Sequence, residues 1–181
     1  VATPDAYEFI KKDIYPCLKN IISTYKKGTD FSIYMDTDGL IHAGSGLDQV
    51  TWMDVRVGDW VATPRHGKPV EINALWYNAL CTMDMLQAKF GDNDDSYRQL
   101  ASLVKTSFNK RFWNENTGCL YDVVDEDDDT IRPNQIYAVS LPFTMPDMER
   151  EKAIVDTVMD KLYVGCGLRS LDPDHKDYHP I

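Results

Sequence analysis

The side chains best suited to chemistry are concentrated between positions 48 and 80, in the stretch DQVTWMDVRVGDWVATPRHGKPVEINALWYNAL. Aromatic rings, carboxylates and cations occur together there: Asp48, Trp52, Asp54, Arg56, Asp59, Trp60, Arg65, His66, Glu71, Trp76 and Tyr77. Flat rings cover the apolar faces of a sugar, while carboxylates and guanidinium groups bond its hydroxyls. The stretch therefore indicates a site for a polyhydroxylated ligand, and a buried polar network beneath a loop is the plainer alternative.

Cleavage of a glycosidic bond needs two carboxyl groups, one to protonate the departing oxygen and a second opposite it. In an inverting enzyme the two stand about 6.5 to 9.5 Å apart, so that a water molecule fits between the sugar and the base. Spacing alone does not choose among four carboxylates of the stretch: Asp48, Asp54, Asp59 and Glu71. Each of them could instead hold a structural network together.

Glu71 falls in the first turn of a predicted helix, where the helix dipole favours a carboxylate whether or not it binds a ligand. We predict that Glu71 binds a sugar hydroxyl, because this helix end belongs to the predicted site. Arg65 and Arg132 could fork onto hydroxyls, or they could hold carboxylates such as Asp54 and Asp59. A carboxylate and a guanidinium group can both form hydrogen bonds with the hydroxyls of a sugar.

Asn134 and Gln135 are neutral groups that donate and accept, as sugar recognition requires, although Asn134 could instead serve the start of a helix. Trp52 and Trp60 are the favoured stacking surfaces, because other aromatic residues more often belong to a core. These four side chains complete the predicted substrate-binding set, which also includes Asp48, Asp59, Arg65, Glu71 and Arg132.

Metal binding is not predicted. The turn Asp36-Thr37-Asp38-Gly39 resembles the start of a calcium loop but lacks a third ligand before the glycine. His175 and His179 have the spacing of zinc ligands without an obvious third one. His66 is expected to be structural, and the acidic run Asp122–Asp129 is expected to be solvated surface.

Apolar residues at helical spacing predict five helices, near 4–27, 69–90, 94–112, 133–141 and 147–163. Thr3 and Pro4 begin the first, Pro16 could kink it, and Asn93 or Asp94 caps the third. Residues 31–34 and 40–43 alternate like the strands of a hairpin. A strand-like segment is also expected at Cys119–Tyr121.

The second predicted helix is apolar nearly all round, with Leu75 and Met85 on its faces, which is typical of a buried helix. In the fifth, Ile154, Val155, Val158 and Leu162 are predicted to be buried. Pro133 should open the fourth helix and Pro142 should end it.

Connection lengths predict where these helices gather the polar residues. If successive helices are antiparallel, every second connection lies at the same end of the molecule. The long connections, 28–68, 113–132 and 164–181, alternate with the short ones, 91–93 and 143–146. All the long ones should therefore meet at one end, together with the helix starts that carry Glu71, Asn134 and Gln135.

Composition narrows the class of protein. The chain has 181 residues, of which 43% are hydrophobic and 27% charged, as in ordinary globular domains. A net charge of -10 argues against nucleic acid as a partner, and no apolar run is long enough to span a membrane. Four scattered cysteines and the lack of a signal peptide predict reduced thiols and a cytoplasmic location.

Three motifs in one order carry a family resemblance: TWMDVRVGDWVATPRHGKPVEINALWYNAL, IRPNQIYAVSLP and GLRSLDPDHKDYHPI. From about residue 29 to the last residue, the chain resembles the glucosidase domain of glycogen debranching enzymes, the amylo-α-1,6-glucosidases. The resemblance implies an all-α fold, an (α/α)6 toroid of twelve helices. With about five helices and a small β-hairpin in a loop, residues 1–181 would be a single partial domain, an incomplete toroid of antiparallel helical hairpins truncated at both ends.

The resemblance also implies an inverting glycoside hydrolase that releases glucose from α-1,6 branch points of trimmed glycogen or a related α-glucan. Asp54 matches the aspartate of the TWMD motif and is thereby implied to be the general acid. The general base is implied to lie beyond Ile181, so the chain alone should be inactive. We expect no metal or organic cofactor, an α-glucan as partner, and self-association through the exposed flank of the toroid.

Two alternatives stay open. The chain could belong to another (α/α)6 glycosidase that acts on a different glucoside. It could also be a non-catalytic helical module that binds a glucan or a protein partner. The products released from a branched dextrin distinguish these possibilities.

Overall fold

The computed structural model describes residues 3–92 and 94–180. Its helical segments are α1 Pro4–Phe9, a π-helical turn Ile10–Ile14, α2 Tyr15–Lys27, α3 Val70–Phe90, α4 Ser96–Arg111, a 3-10 turn Pro133–Ile136, α5 Tyr137–Ser140 and α6 Met148–Lys161. Its strands are β1 Tyr34–Met35, β2 Ile41–His42, β3 Arg56–Val57, β4 Trp60–Val61, β5 Lys68–Pro69, β6 Trp113–Asn114, β7 Cys119–Leu120 and β8 Val123–Val124. Within the described ranges, no helix combines the length and the apolar character needed to cross a bilayer.

The first predicted helix is confirmed, with a π-helical turn in its middle. Thr3 Oγ1 accepts a backbone N–H of the first turn at 3.4 Å, and Pro4 takes the first helical position, as predicted. In the π-helical turn the Tyr15 N–H donates to the Ile10 carbonyl, one residue further back than in an α-helix. Pro16 has no N–H to continue the α-helical ladder there. Next to Pro16, the backbone hydrogen bonding of the helix therefore shifts locally from the i−4 pattern to the i−5 pattern.

Helix α3 lies within one residue of its predicted bounds. It starts directly after Pro69 and ends at Gly91, whose φ of 77° is the left-handed conformation common after helices. Leu80 is fully buried, but Leu75 and Met85 are 44% and 54% exposed. The prediction that this helix is buried nearly all round is therefore wrong for the side that carries Leu75 and Met85.

Helix α4 begins two residues later than predicted. Asp94 accepts hydrogen bonds from the Ser96 N–H at 2.9 Å and the Ser96 hydroxyl at 2.8 Å, so it does shape the helix start. Asn93, the other predicted cap, lies outside the described residues. The helical spacing of apolar residues that predicts this helix agrees with the burial of four of them: Ala101, Val104, Phe108 and Phe112.

The chain after residue 132 departs from prediction in two places. The predicted helix 133–141 is a 3-10 turn followed by the short α5, because Leu141 is already extended before Pro142. Helix α6 is confirmed, with Asp147 accepting the Arg150 N–H at 2.9 Å. Val155, predicted to be buried in α6, is 40% exposed.

The strands form four separate antiparallel pairs, β1–β2, β3–β4, β5–β8 and β6–β7. The predicted hairpin is confirmed as β1–β2, with Met35 opposite Ile41. The strand-like Cys119–Tyr121 segment is confirmed as β7. The all-α prediction is too simple, since the described residues mix helices with small strand pairs. The twelve-helix toroid itself stays a prediction.

The three long connections meet at one end of the molecule, as their lengths predict. Strand β5 of the first connection pairs with β8 of the second, and the Val70 N–H donates to the Asp122 carbonyl at 3.0 Å. The third connection joins them where the Asp172 N–H donates to the Ile131 carbonyl at 3.1 Å. Gly67 lies at this crossing, and a Cβ there would meet the Val124 carbonyl at 2.8 Å.

Candidate active site

Asp54 is buried inside the loop that displays Trp52. Its Oδ2 accepts the Val50 N–H at 2.7 Å, and its Oδ1 accepts the Thr51 N–H at 2.8 Å and the Thr51 hydroxyl at 2.9 Å. The residue is 1% exposed, whereas Trp52 is 61% exposed. The carboxylate thus fixes the shape of a short loop whose tryptophan faces solvent.

Behind this loop lies a set of buried polar side chains that bonds to the exposed Trp52, and we call the whole set the Arg65 network: Trp52, Arg65, Glu71, Asp122 and Asn134. Arg65 grips Glu71 with two nitrogens, one of them at 2.6 Å, and its Nε donates to Asp122 Oδ2 at 2.6 Å. Such forked ion pairs define direction as well as distance. Arg65 therefore holds carboxylates, as one of the two predictions for it states, but its partners are Glu71 and Asp122 rather than Asp54 or Asp59.

Asn134 extends the network to the surface. Its Nδ2 donates to Asp122 Oδ1 at 2.8 Å, and its Oδ1 accepts the Trp52 indole N–H at 2.9 Å. Its neighbour Gln135 accepts the Leu120 N–H at 3.3 Å and is 2% exposed. Whereas Gln135 bonds to Leu120, the network joins four of the predicted sugar-binding side chains: Trp52, Arg65, Glu71 and Asn134.

The positive charges of Arg65 and Arg132 lie close to the carboxylates of Glu71 and Asp122. Arg132 Nε lies 3.7 Å from Asp122 Oδ2 and has no hydrogen-bond partner among the described residues. Burial raises the pKa of Asp122, Glu71 adds to that effect, and Arg65 opposes it. Burial works to lower the pKa of Arg65, but its bonds to Glu71 and its proximity to Asp122 raise that pKa overall. The guanidinium therefore stays charged.

An open cleft of about 810 Å³ lies where the three long connections meet. The first connection contributes Met53 and Trp60, the second Arg132, and the third Ser170 and Tyr178. Trp60 is 61% exposed, and Arg132 NH1 donates to the Ser170 carbonyl at 3.2 Å. An exposed ring and a guanidinium on opposite connections form a cleft suited to a ligand with apolar faces and hydroxyl edges.

Asp48 and Asp59 make their contacts away from the Arg65 network. Asp48 accepts the Ser45 N–H at 3.0 Å, and its carbonyl lies 3.1 Å from His66 Nε2. His66 therefore has the structural contact expected of it. The Asp59 side chain is fully exposed, 3.8 Å from Arg56. The structure does not join these two carboxylates to the buried residues, and their predicted sugar contacts stay predictions.

Asp122 is the central residue that the sequence argument missed. The acidic run Asp122–Asp129 is predicted to be solvated surface, but Asp122 is 2% exposed. Apolar neighbours on both sides, in the segment CLYDVV, were the available signal, because a charge within such a segment is typically paired. The prediction is therefore wrong for Asp122.

A second group of charges, the Lys68 cluster, contains Lys68, Asp36, Asp38, Arg111 and Asp125. Lys68 Nζ donates to Asp36 at 2.8 Å and to Asp38 at 2.9 Å. Arg111 NH1 donates to Asp38 at 2.6 Å and NH2 donates to Asp125. The carboxylates of the calcium-like turn thus serve a lysine, and no group of residues able to hold a metal occurs in the described parts of the chain.

Comparison with known proteins agrees with the resemblance of the three motifs. The family of amylo-α-1,6-glucosidases matches residues 1–181. The chain therefore belongs to the amylo-α-1,6-glucosidase family.

Among individual proteins, the chain is similar to the glycogen debranching enzyme of Saccharomyces cerevisiae, with 28% identity over an alignment of 197 residues. The alignment covers 85% of this chain and 13% of the yeast protein. The chain thus corresponds to a small part of that relative's length.

Proposed function

We propose that this chain is part of an inverting glucosidase that releases glucose from the α-1,6 branch points of trimmed glycogen or a related α-glucan. Membership of the amylo-α-1,6-glucosidase family supports the reaction class. The observation that carries the site is the exposed Trp52, which Asn134 holds and which directly precedes Met53, a residue lining the cleft shared by all three long connections. We assign no metal or organic cofactor to the reaction.

Direct contacts with the glucan are assigned to three side chains. Trp52 and Trp60 offer exposed rings for stacking, and Arg132 brings a guanidinium to the cleft. Four other predicted binders are at most 3% exposed, and we propose that they support the wall from behind: Arg65, Glu71, Asn134 and Gln135. Asp48 and Asp59 are assigned to the rim on the strength of their position in the sequence alone.

Asp54 is proposed as the general acid, because it matches the family's TWMD motif. Both of its oxygens already accept hydrogen bonds from Val50 and Thr51. Proton delivery to a glycosidic oxygen therefore requires the substrate to compete for one of these oxygens, and catalytic hydrogen bonds commonly rearrange when substrate binds. We assign the opposing base to a segment that this chain does not contain, as the resemblance implies.

The proposal is tested with a branched limit dextrin, the chain, and a longer family protein that contains it. The longer protein should release glucose, and proton NMR during the first minutes should show the β-anomer, because inversion at an α-linkage produces it. The chain alone should release none, because an acid without its opposing base cannot activate water.

Other products would redirect the assignment. A different released sugar would indicate another (α/α)6 glycosidase. Binding without turnover by the longer protein would indicate a non-catalytic module. The structure offers one reason for that outcome, because both oxygens of Asp54 already accept hydrogen bonds within the loop. Efficient glucose release by the chain alone would overturn the assignment of the base.

Self-association is proposed through the apolar side of α2 and α3. Ile21 and Leu75 are 49% and 44% exposed there, beside a shallow cavity of about 240 Å³ that Tyr25 and Trp76 also line. An apolar patch of this kind favours association in water. Light scattering across a concentration series should give a rising mean mass, and Leu75→Glu should reduce that rise.

A further inference from the structure

We propose that Asp122 is the positioning residue that orients the Trp52 indole, acting through the amide of Asn134. Asp122 touches Asn134 at 2.8 Å, and Asn134 touches Trp52 at 2.9 Å. The inference rests on the proposed function only for the claim that the positioned ring receives an α-glucan.

The hydrogen bonds of this relay run in one direction. An ionised carboxylate only accepts, and an indole N–H only donates. Asn134 stands between Asp122 and Trp52, so its Nδ2 must face Asp122 and its Oδ1 must face Trp52. Turning the amide by half a turn would bring donor against donor at Trp52 and acceptor against acceptor at Asp122. Asp122 thus selects the amide orientation that Trp52 needs.

Asp122 is itself held from several sides. Its Oδ2 accepts Arg65 Nε at 2.6 Å, and its carbonyl accepts the Val70 N–H at 3.0 Å. Arg65 is in turn forked onto Glu71 in the first turn of α3. The orientation of Trp52 is therefore set from a helix start through buried side chains that lie far from it in the chain.

Fixing the ring has a functional value because Trp52 is 61% exposed. An exposed ring that rotates freely must lose that freedom when a ligand stacks on it, which weakens binding. A ring held before the ligand arrives avoids this cost. Asp122 is thus inferred to strengthen glucan binding without touching the glucan.

The test uses the chain labelled with 5-fluorotryptophan and its fluorine NMR spectrum. The chain contains four tryptophans, and Trp52→Phe identifies the Trp52 signal by its loss. Asp122→Asn should shift or broaden this signal, because an asparagine that accepts from Arg65 turns its amide N–H toward Asn134. The Trp76 signal should not move, since Trp76 is 6% exposed and donates to the Gly39 carbonyl at 3.0 Å. An unchanged Trp76 signal shows that the variant is folded.

A reciprocal exchange separates orientation from packing. In the double variant Asp122→Asn with Asn134→Asp, the amide introduced at position 122 accepts from Arg65 and donates to the carboxylate introduced at position 134. That carboxylate accepts from Trp52, so every bond of the relay is restored at unchanged net charge. The Trp52 signal should return toward its wild-type position, which a merely structural role of Asp122 would not produce.

Glu126→Gln is the matched control, because Glu126 is an exposed member of the same acidic run. It should leave the Trp52 signal unchanged. If Asp122→Asn unfolds the chain, Asn134→Ala cuts the relay directly and should produce the same Trp52 change. An unmoved Trp52 signal in Asn134→Ala, or no recovery in a folded double variant, overturns the proposal.

Titration with a branched α-glucan adds the functional arm. The wild-type Trp52 signal should move with the glucan, and Asp122→Asn should bind about three- to tenfold more weakly, as expected for the loss of one oriented hydrogen bond. If no signal moves with glucan while Asp122→Asn still shifts Trp52, the proposed glucan site is wrong and the positioning role stands. If glucan moves Trp52 equally in both proteins with equal affinity, the positioning role has no effect on binding and the inference fails.

Discussion

Arg65 and Lys68 lie on the same short segment, yet they serve two charge assemblies of very different depth. In the Arg65 network the carboxylates of Glu71 and Asp122 are 4% and 2% exposed. In the Lys68 cluster the carboxylates of Asp36 and Asp38 are 35% and 22% exposed. Both assemblies therefore pair carboxylates with cations, but the carboxylates of the Lys68 cluster have much more access to water.

This difference reverses the effect of the fold on the carboxyl groups. In the network, burial raises the pKa of Asp122. In the cluster, the hydrogen bond from Lys68 lowers the pKa of Asp36, and bonds from Lys68 and Arg111 outweigh burial and lower the pKa of Asp38. A buried carboxylate shared between cations differs chemically from one that can still reach water.

The largest predicted effect concerns Asp54, which belongs to neither assembly. In a longer family protein, Asp54→Asn should lower the rate about 10²- to 10⁴-fold while glucan binding survives, because it removes the proton of a general acid. Assays should compare a branched dextrin with an aryl glucoside whose leaving group departs unprotonated. The variant should recover much of its rate on the aryl glucoside, because that leaving group departs without a proton from the acid, and normal debranching of the dextrin would show that the acid assignment is wrong.

Next in size is the cost of removing Arg65. Arg65→Leu leaves Glu71 and Asp122 buried without their shared cation, and losses of about 3–5 kcal/mol are usual in such cases. Urea unfolding of the chain measures the change in the free energy of unfolding. Arg56→Leu is the matched control, since Arg56 belongs to the same connection and is largely exposed, and it should change that free energy within error. Equal changes in the free energy of unfolding for Arg65→Leu and Arg56→Leu would contradict the proposal that burial of the ion pairs determines their contribution.

Lys68→Met should cost less than Arg65→Leu, about 1–3 kcal/mol. The lysine is 2% exposed, but Asp36, Asp38 and Asp125 can each regain water when it is removed. The same urea experiment checks the ranking. If Lys68→Met lowers the free energy of unfolding as much as Arg65→Leu does, then the solvent exposure of the carboxylate partners does not reduce the cost of removing a buried cation.

The smallest predicted effect is a pH dependence of opposite sign in the two assemblies. A lowered carboxyl pKa contributes stability above its unfolded value that is lost as pH falls through the folded value, so the advantage of wild type over Asp38→Asn should shrink in acid. A raised pKa contributes stability that is present at low pH and lost as pH rises through the folded value. The advantage of wild type over Asp122→Asn should therefore grow on acidification. Urea unfolding at several pH values from neutral to about pH 3, below the ordinary carboxyl pKa of 3.8, measures both differences, and slopes of the same sign would contradict the comparison.

The helices were predictable because their signals are local. Thr3 and Pro4 act within the first turn of their helix, and the structure has them as predicted. The meeting of the long connections followed from their lengths alone. The local pattern does not determine how deeply each side of a helix is buried. For this reason the predicted burial is wrong for Leu75, Met85 and Val155.

The partners within the site could not be predicted, since they join residues far apart in sequence. Arg65 and Asp122 are 57 positions apart, and Trp52 and Asn134 are 82 apart. Spacing in the sequence indicates that carboxylates and cations share a region, but it does not determine which ones meet. The 3-10 turn at Pro133 could not be predicted for the same reason, because it carries Asn134 into a hydrogen bond with Trp52 of the first long connection.

Gly67, which has no side chain, lies on the segment that carries both charge assemblies. It lies between Arg65 and Lys68, with a φ of 105°, and exchanges backbone hydrogen bonds with Ala43 at 2.8 and 3.0 Å. Any side chain there would both strain the backbone and press on the Val124 carbonyl. A methyl group at this position would disturb the backbone segment that carries both Arg65 and Lys68. A single substitution at Gly67 is therefore expected to weaken both assemblies at once, whereas a change to one carboxylate affects only its own assembly.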